Sequence, residues 1–154
     1  VWPSFGDLMM SDNLSYSTFS NIKSMIGIDI VDETTPIIIE GDHYDQILSW
    51  CESHKEKGPI FIAGLIPVSD GSQFSKYALS LIDKFGEVPG VLEELSCNLN
   101  SFSSVGSVVP YYENRKAIYS TMLSNKSEAV RIWAQKNVDE CNYMIEYEGL
   151  REQE

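Results

Sequence analysis

The sequence predicts an all-α protein built from antiparallel helix pairs. Apolar residues recur at intervals of three and four, which is the spacing of one face of an α-helix. The helical stretches are joined two by two through short turns, so the members of each pair are expected to pack antiparallel. The apolar pattern of one pair then recurs in the next pair, as an internal repeat would require.

The most regular pair is expected over residues 73–99. Ser72 is predicted to cap its first helix, because serine favours the N-cap, and Gly86 is predicted to end that helix. Pro89 is placed in the first turn of the second helix, where its missing N–H costs little. The apolar stripes are Phe74, Tyr77, Ala78, Leu81, Ile82 and Phe85 on the first helix, and Val88, Val91, Leu92, Leu95 and Leu99 on the second.

A further pair is expected over residues 109–149, with Pro110 opening its first helix and residues 127–149 forming its second. Its first helix matches that of the preceding pair at an offset of 37 residues, and its second helix matches at an offset of 39. Two extra residues in the turn explain the difference. The equated residues are Phe74 with Tyr111, Leu81 with Ile118, Ile82 with Tyr119, Val91 with Val130, Leu95 with Ala134, and Leu99 with Val138.

The remainder of the chain is less regular. Residues 42–67 are expected to form a degraded first pair, with Pro59 near the start of its second helix and Pro67 beyond its end. Residues 1–41 are expected to hold an N-terminal helix and an irregular connector. Within the connector, residues 27–41 are the only strand-like stretch, as a short hairpin, an extended crossover or a long loop. Residues 150–154 are predicted to be a polar tail.

The composition disfavours direct nucleic-acid binding and membrane insertion. A net charge of -12 repels phosphate backbones, and the longest basic cluster is the pair Arg115 and Lys116. No stretch approaches the roughly eighteen apolar residues that a transmembrane helix needs. We therefore expect neither a nucleic-acid partner nor a membrane partner.

The cysteines predict the cellular compartment of the protein, and the first residues predict that the chain is part of a larger protein. Cys51, Cys97 and Cys141 are odd in number, far apart and each within an apolar stripe. They are therefore predicted to be buried, reduced thiols of a cytoplasmic protein. The chain begins at Val1 with neither an initiator methionine nor a signal-peptide core. It is accordingly expected to be the C-terminal part of a larger protein.

The segment SEAVRIWA, residues 127–134, has a small polar cap, then a Val-Arg pair, then an alanine. In this it resembles the HEAT-repeat family of α-solenoids, whose repeats of about forty residues are two antiparallel helices. The resemblance covers residues 42–150 and is clearest from residue 109 onward, since Leu92 stands where the preceding pair would carry the arginine. It implies a right-handed superhelix of stacked pairs. It also implies that Arg131 bonds an acidic or carbonyl group of a neighbouring repeat, and that Trp133 bridges the edge of the core.

Chemical motifs are sparse, and no catalytic residue, metal ligand or cofactor is predicted. Cys51 and His54 have the i, i+3 spacing of two metal ligands on a helix, but zinc needs about four ligands and no second pair lies nearby. The segment PYYENRK, residues 110–116, mixes aromatic and basic residues. Tyr112, Arg115 and Lys116 are its candidate surface for an acidic partner segment. In the alternative, Tyr112 lies at a repeat junction and both basic residues are solvated.

These observations favour a non-enzymatic scaffold for protein–protein interaction, because stacked helix pairs offer an extended recognition surface. The alternative is a sensor or regulatory helical domain attached to an enzyme such as an NTPase or a nuclease. A free-standing helical enzyme is the third interpretation. A polar cluster on one concave face would favour ligand sensing, whereas a broad apolar or aromatic strip would favour protein docking.

Overall fold

The computed structural model describes Asp7 and residues 42–54, 57–100 and 106–153, and these residues are predominantly helical. The all-α fold class is confirmed at this level. The N-terminal helix predicted in residues 1–41 and the strand-like stretch 27–41 lie outside the described residues. The helices are α1 (Asp42–Ser53), α2 (Lys57–Ala63), α3 (Lys76–Phe85), α4 (Val91–Asn100), α5 (Val109–Ser120) and α6 (Glu128–Arg151).

A small hairpin precedes α3, and it corrects two predictions. Strands β1 (Ser69–Asp70) and β2 (Gln73–Phe74) pair antiparallel, with Ser69 opposite Phe74. Gly71 has a φ of 65° at the first central position of the turn, a conformation that glycine adopts readily. Phe74 is therefore a strand residue and not the start of a helix. The N-cap is Ser75 instead of Ser72, and its Oγ accepts a hydrogen bond of 3.1 Å from the Ala78 amide.

The turn between α3 and α4 depends on a residue without a side chain. Gly86 ends α3 as predicted. A Cβ atom at this position would lie 2.5 Å from the Ile82 carbonyl oxygen and 3.0 Å from Cγ2 of Val130 in α6. Glycine therefore lets the end of α3 approach the start of the last helix. The second helix of this pair begins at Val91, so Pro89 lies in the turn and not in the first helical turn.

The first two pairs are joined by polar contacts as well as by apolar packing. The Tyr44 hydroxyl in α1 donates to the Tyr77 carbonyl in α3 at 2.5 Å. The Asn98 side chain in α4 donates to the carbonyls of Ala63 and Ile66 at 2.9 Å each, and so satisfies carbonyl groups at the end of α2. These bonds place α1 and α2 against α3 and α4.

One apolar core joins the described helices. Five of the six pairs of positions that the internal repeat equates are buried on both sides: Leu81 and Ile118 are both 0% exposed, as are Val91 and Val130. The sixth pair does not match, because Phe74 is buried in a strand whereas Tyr111 is only partly buried in α5. The last helix runs to Arg151, so the first two residues of the predicted polar tail, Leu150 and Arg151, are helical. No helix among the described residues is long and apolar enough to cross a membrane.

The prediction of three buried thiols is wrong for Cys97, which is exposed, whereas Cys51 and Cys141 are buried. α4 buries the face that carries Val91 and Leu95, and Cys97 lies two residues beyond Leu95, on the opposite side of the helix. Burial raises the pKa of the Cys51 thiol to about 12 and that of the Cys141 thiol to about 11. Both buried thiols are therefore held in the neutral form.

Candidate functional site

A continuous groove crosses the turn between α3 and α4. Its wider part is a cavity of about 730 Å³ where this turn meets the turn between α5 and α6. Its narrower part, of about 590 Å³, lies between α4 and α6. Residues 86–89 line both parts, which makes them one groove. Binding clefts usually have volumes of about 300–1,000 Å³, so the groove is large enough to hold a ligand or a peptide segment.

Trp133 forms part of the wall of the narrower cavity and is only 7% exposed. Its ring stacks on Phe74 with centroids 5.7 Å apart and meets Tyr119 edge to face at 5.3 Å. Its Nε1 donates to the Ser96 hydroxyl at 2.8 Å, which ties α6 to α4. The indole is therefore a fixed part of the groove, held by aromatic contacts behind it and a hydrogen bond at its side.

The groove is acidic on balance. Its charged residues are Glu52, Asp83, Glu87, Glu93 and Glu140 against Lys84, Lys126 and Lys136. Lys126 pairs with Asp83 at 3.0 Å and Lys84 with Glu52 at 3.8 Å, so both lysines of the wider part already face carboxylates. The groove therefore presents negative charge beside apolar walls, an arrangement that complements a cationic ligand.

The described residues contain no group of three or more histidine, cysteine or acidic side chains that could hold a metal ion. Cys51 is buried, whereas the neighbouring His54 ring stacks on Trp50 at 4.5 Å. The His54 Nε2 atom lies 2.9 Å from Asp7 Oδ1. Cys51 and His54 therefore face different surroundings, although the sequence places them one helical turn apart.

The predicted partner surface on α5 lies outside the groove. Tyr112, Arg115 and Lys116 line neither of its two cavities. The Arg115 guanidinium carbon lies 4.7 Å from the centroid of the Tyr111 ring, and its Nη1 donates to the Asn114 side chain at 2.9 Å. Tyr112 is half-buried against the core. The structure thus holds Arg115 on an aromatic ring, and Tyr112 offers only part of its surface to a partner.

Arg131 bonds carbonyl groups, but in a different place from the predicted one. Its Nη1 donates to the Asn125 carbonyl at 2.6 Å and to the Lys126 carbonyl at 3.0 Å. Both acceptors belong to the turn between α5 and α6, within the same pair, and not to a neighbouring repeat. The side chain folds back over the start of its own helix, because this turn presents carbonyl groups that the helix ladder leaves free.

An exposed apolar strip on α6 was not predicted from the sequence. Ile132, Tyr143, Tyr147 and Leu150 are 62%, 65%, 48% and 61% exposed. They lie on the side of α6 opposite Val130, which is fully buried. The spacing of Tyr143, Tyr147 and Leu150 at i, i+4 and i+7 was the available signal, hidden because the surrounding residues are charged.

No protein-family model, no curated protein and no solved structure matches the chain.

Proposed function

We propose that this chain is a non-enzymatic protein-interaction scaffold of the HEAT-repeat type, with its pairs in a right-handed superhelix, and part of a larger cytoplasmic protein. The groove between α4 and α6 is the partner site. The observation that carries the proposal is the continuity of this groove across the α3–α4 turn, with the fixed Trp133 ring in its wall. Helical solenoids characteristically offer such extended surfaces for recognition.

The partner is a peptide segment with basic side chains beside bulky apolar ones. Five carboxylates against three lysines line the groove, and the whole chain carries a net charge of -12. The negative charge of the chain therefore attracts a basic segment from a distance. The apolar residues of that segment can then contact Trp133 and Leu92, which line the groove. The same charge opposes direct nucleic-acid binding. The α5 surface of Tyr112, Arg115 and Lys116 stays a predicted second site for an acidic segment.

Selection from a displayed library of random peptides tests this proposal. We expect the enriched peptides to combine lysine or arginine with aromatic or branched apolar residues. Glu93→Lys, in the groove, is expected to lower the affinity for a selected peptide about tenfold or more, because it places like charges together. Glu113→Lys is the matched control, since Glu113 is exposed on α5 and lines neither cavity. No enrichment, or equal loss in both variants, would reject the groove as the site.

A second candidate function is a sensor or regulatory domain attached to an enzyme such as an NTPase or a nuclease. The volume of the wider cavity, about 730 Å³, favours it, because small-molecule sites fall in the same range. Thermal shift measurements with a panel of cationic metabolites distinguish the two candidates. A saturable rise in melting temperature that Glu87→Gln reduces would favour sensing over peptide binding.

A further inference from the structure

The exposed side of α6 has a regular pattern that extends beyond the groove, since only its first two residues, Ile132 and Lys136, also line the groove. Six residues recur along it at alternating intervals of four and three residues, and every one of them is exposed. We call this set the outer face of α6. Its members are Ile132, Lys136, Asp139, Tyr143, Glu146 and Leu150. Alternating intervals of four and three residues are the spacing at which two helices of a coiled coil meet along their length. Three of the six positions here are apolar or aromatic and three are charged, so charge pairing must supply part of the contact.

We propose that two copies of this chain associate antiparallel through the outer face of α6. A two-fold axis beside residue 141 would place Ile132 of one copy against Leu150 of the second copy. The same alignment places Lys136 against Glu146 and Asp139 against the hydroxyl-bearing Tyr143. Because the two copies are related by two-fold symmetry, each of these three residue pairings occurs twice in the dimer. In this alignment the outer faces of the two copies match: apolar residues of one copy meet apolar residues of the other, and basic residues meet acidic ones.

Charge selects the antiparallel arrangement over the parallel one. In a parallel pair in register, each residue of the outer face meets its own copy. Lys136, Asp139 and Glu146 would then form three layers of like charge, which oppose association. The antiparallel alignment converts the Lys136 and Glu146 layers into opposite-charge layers.

The aromatic part of the outer face is held in place before any partner arrives. Tyr143 stacks on Tyr147 with centroids 6.2 Å apart and rings 12° from parallel. The Arg151 guanidinium carbon lies 6.0 Å from the Tyr147 ring centroid. Asp139 accepts a hydrogen bond of 2.9 Å from the Gln135 side chain. Because these side chains are already ordered, association loses less side-chain entropy.

The contact is expected to be weak and dependent on concentration. From residue 132 to residue 150 the helix rises about 27 Å, at about 1.5 Å per residue. One helix against one helix over this length gives a contact at or below the small end of specific interfaces. Two chains of net charge -12 also repel each other. The dimer should therefore form reversibly as concentration rises.

Sedimentation equilibrium of the 154-residue chain over a range of concentrations tests the proposal. We expect a monomer–dimer equilibrium for the natural sequence. Lys136→Glu and Glu146→Lys should each weaken dimer formation about tenfold or more, since each creates like-charge layers. An equimolar mixture of the two variants should recover association as a heterodimer, because both layers then pair opposite charges. Lys57→Glu and Glu113→Lys are the controls, with the same changes of charge at exposed positions elsewhere.

A purely monomeric chain at every concentration would overturn the proposal. So would a dimer that both outer-face variants leave intact, or a mixture that associates no better than either variant alone. The inference is separable from the proposed function of the groove. Lys136 lines both the groove and the outer face, whereas Glu146 lines only the outer face. Glu146→Lys should therefore weaken dimer formation about tenfold or more and leave peptide binding unchanged.

Discussion

Replacing Trp133 with alanine should be among the most damaging single changes in the described part of the chain. The indole is 7% exposed, stacks on Phe74 and meets Tyr119 edge to face. A buried aromatic side chain removes about 150–250 Å² from water, worth about 4–6 kcal/mol at about 25 cal/mol per Å². Part of this is already lost in a compact unfolded chain, so we expect the free energy of unfolding to fall by about 3–5 kcal/mol.

Urea denaturation followed by far-ultraviolet circular dichroism measures this loss. Leu79→Ala is the control, because Leu79 is 42% exposed and its truncation should cost less than about 1 kcal/mol. If Trp133→Ala proves too unstable to purify, Trp133→Phe keeps most of the ring and removes the bond to Ser96. The free energy of unfolding of that variant should fall by about 1 kcal/mol more than the smaller ring volume alone accounts for. If Trp133→Ala lowers the free energy of unfolding by less than about 1 kcal/mol, the indole is not the major stabilising contact described here.

Four other predictions follow from the contacts and from the burial of the cysteines. Gly86→Ala should lower the free energy of unfolding by about 1–3 kcal/mol in the same assay, because the new methyl group meets backbone and side-chain atoms that must move. An unchanged urea midpoint would refute the close approach of α3 to α6 at this residue. Arg131→Ala should cost about 1–3 kcal/mol by freeing two turn carbonyls, and Arg131→Lys should restore little of it. Cys97 should react with a thiol reagent in the native protein, whereas Cys51 and Cys141 should react only on unfolding. Because burial raises the pKa of both buried thiols, the unfolded chain loses those protons first, and stability should fall as pH rises above about 9.

Helical periodicity predicted the core of the second and third pairs well. The alignment of the two pairs equates Leu95 with Ala134, and both are 0% exposed. It succeeds because the burial of a helix face constrains every third or fourth residue, and this constraint is local. The start of α6 after Ser127 and the end of α3 at Gly86 were also predicted correctly, although the Ser127 side chain makes no capping hydrogen bond and donates to Glu87 instead.

The hairpin before α3 was not predicted, because a periodic pattern can be continued by chance. Phe74 lies three residues before Tyr77 and so extends the helical stripe, yet its side chain is buried from a strand. The turn signal was Gly71 followed by Ser72, because glycine at the first central position is typical of a two-residue hairpin turn. Two residues on each side are too short for strand alternation to show in the sequence.

Surface properties were predicted least well. Cys97 was misjudged because a residue in an apolar stripe was equated with a buried one, and the outer face of α6 was not predicted at all. Whether an apolar residue is covered depends on which side of its helix meets another helix, and this is a long-range property of the fold. The contacts of Arg131 were also unpredictable, because several carbonyl groups lie within reach of such a long side chain.

Phe74 has a consequence for how this chain unfolds. In a simple solenoid each repeat touches only its neighbours, so the terminal repeat can fray while the others stay folded. Here Phe74, in the hairpin before α3, packs against both Tyr119 and Trp133 of the last pair. Opening the last pair therefore also uncovers the ring that anchors the hairpin. The two pairs should exchange their backbone amide hydrogens as one cooperative unit, and not in sequence from the C-terminal end.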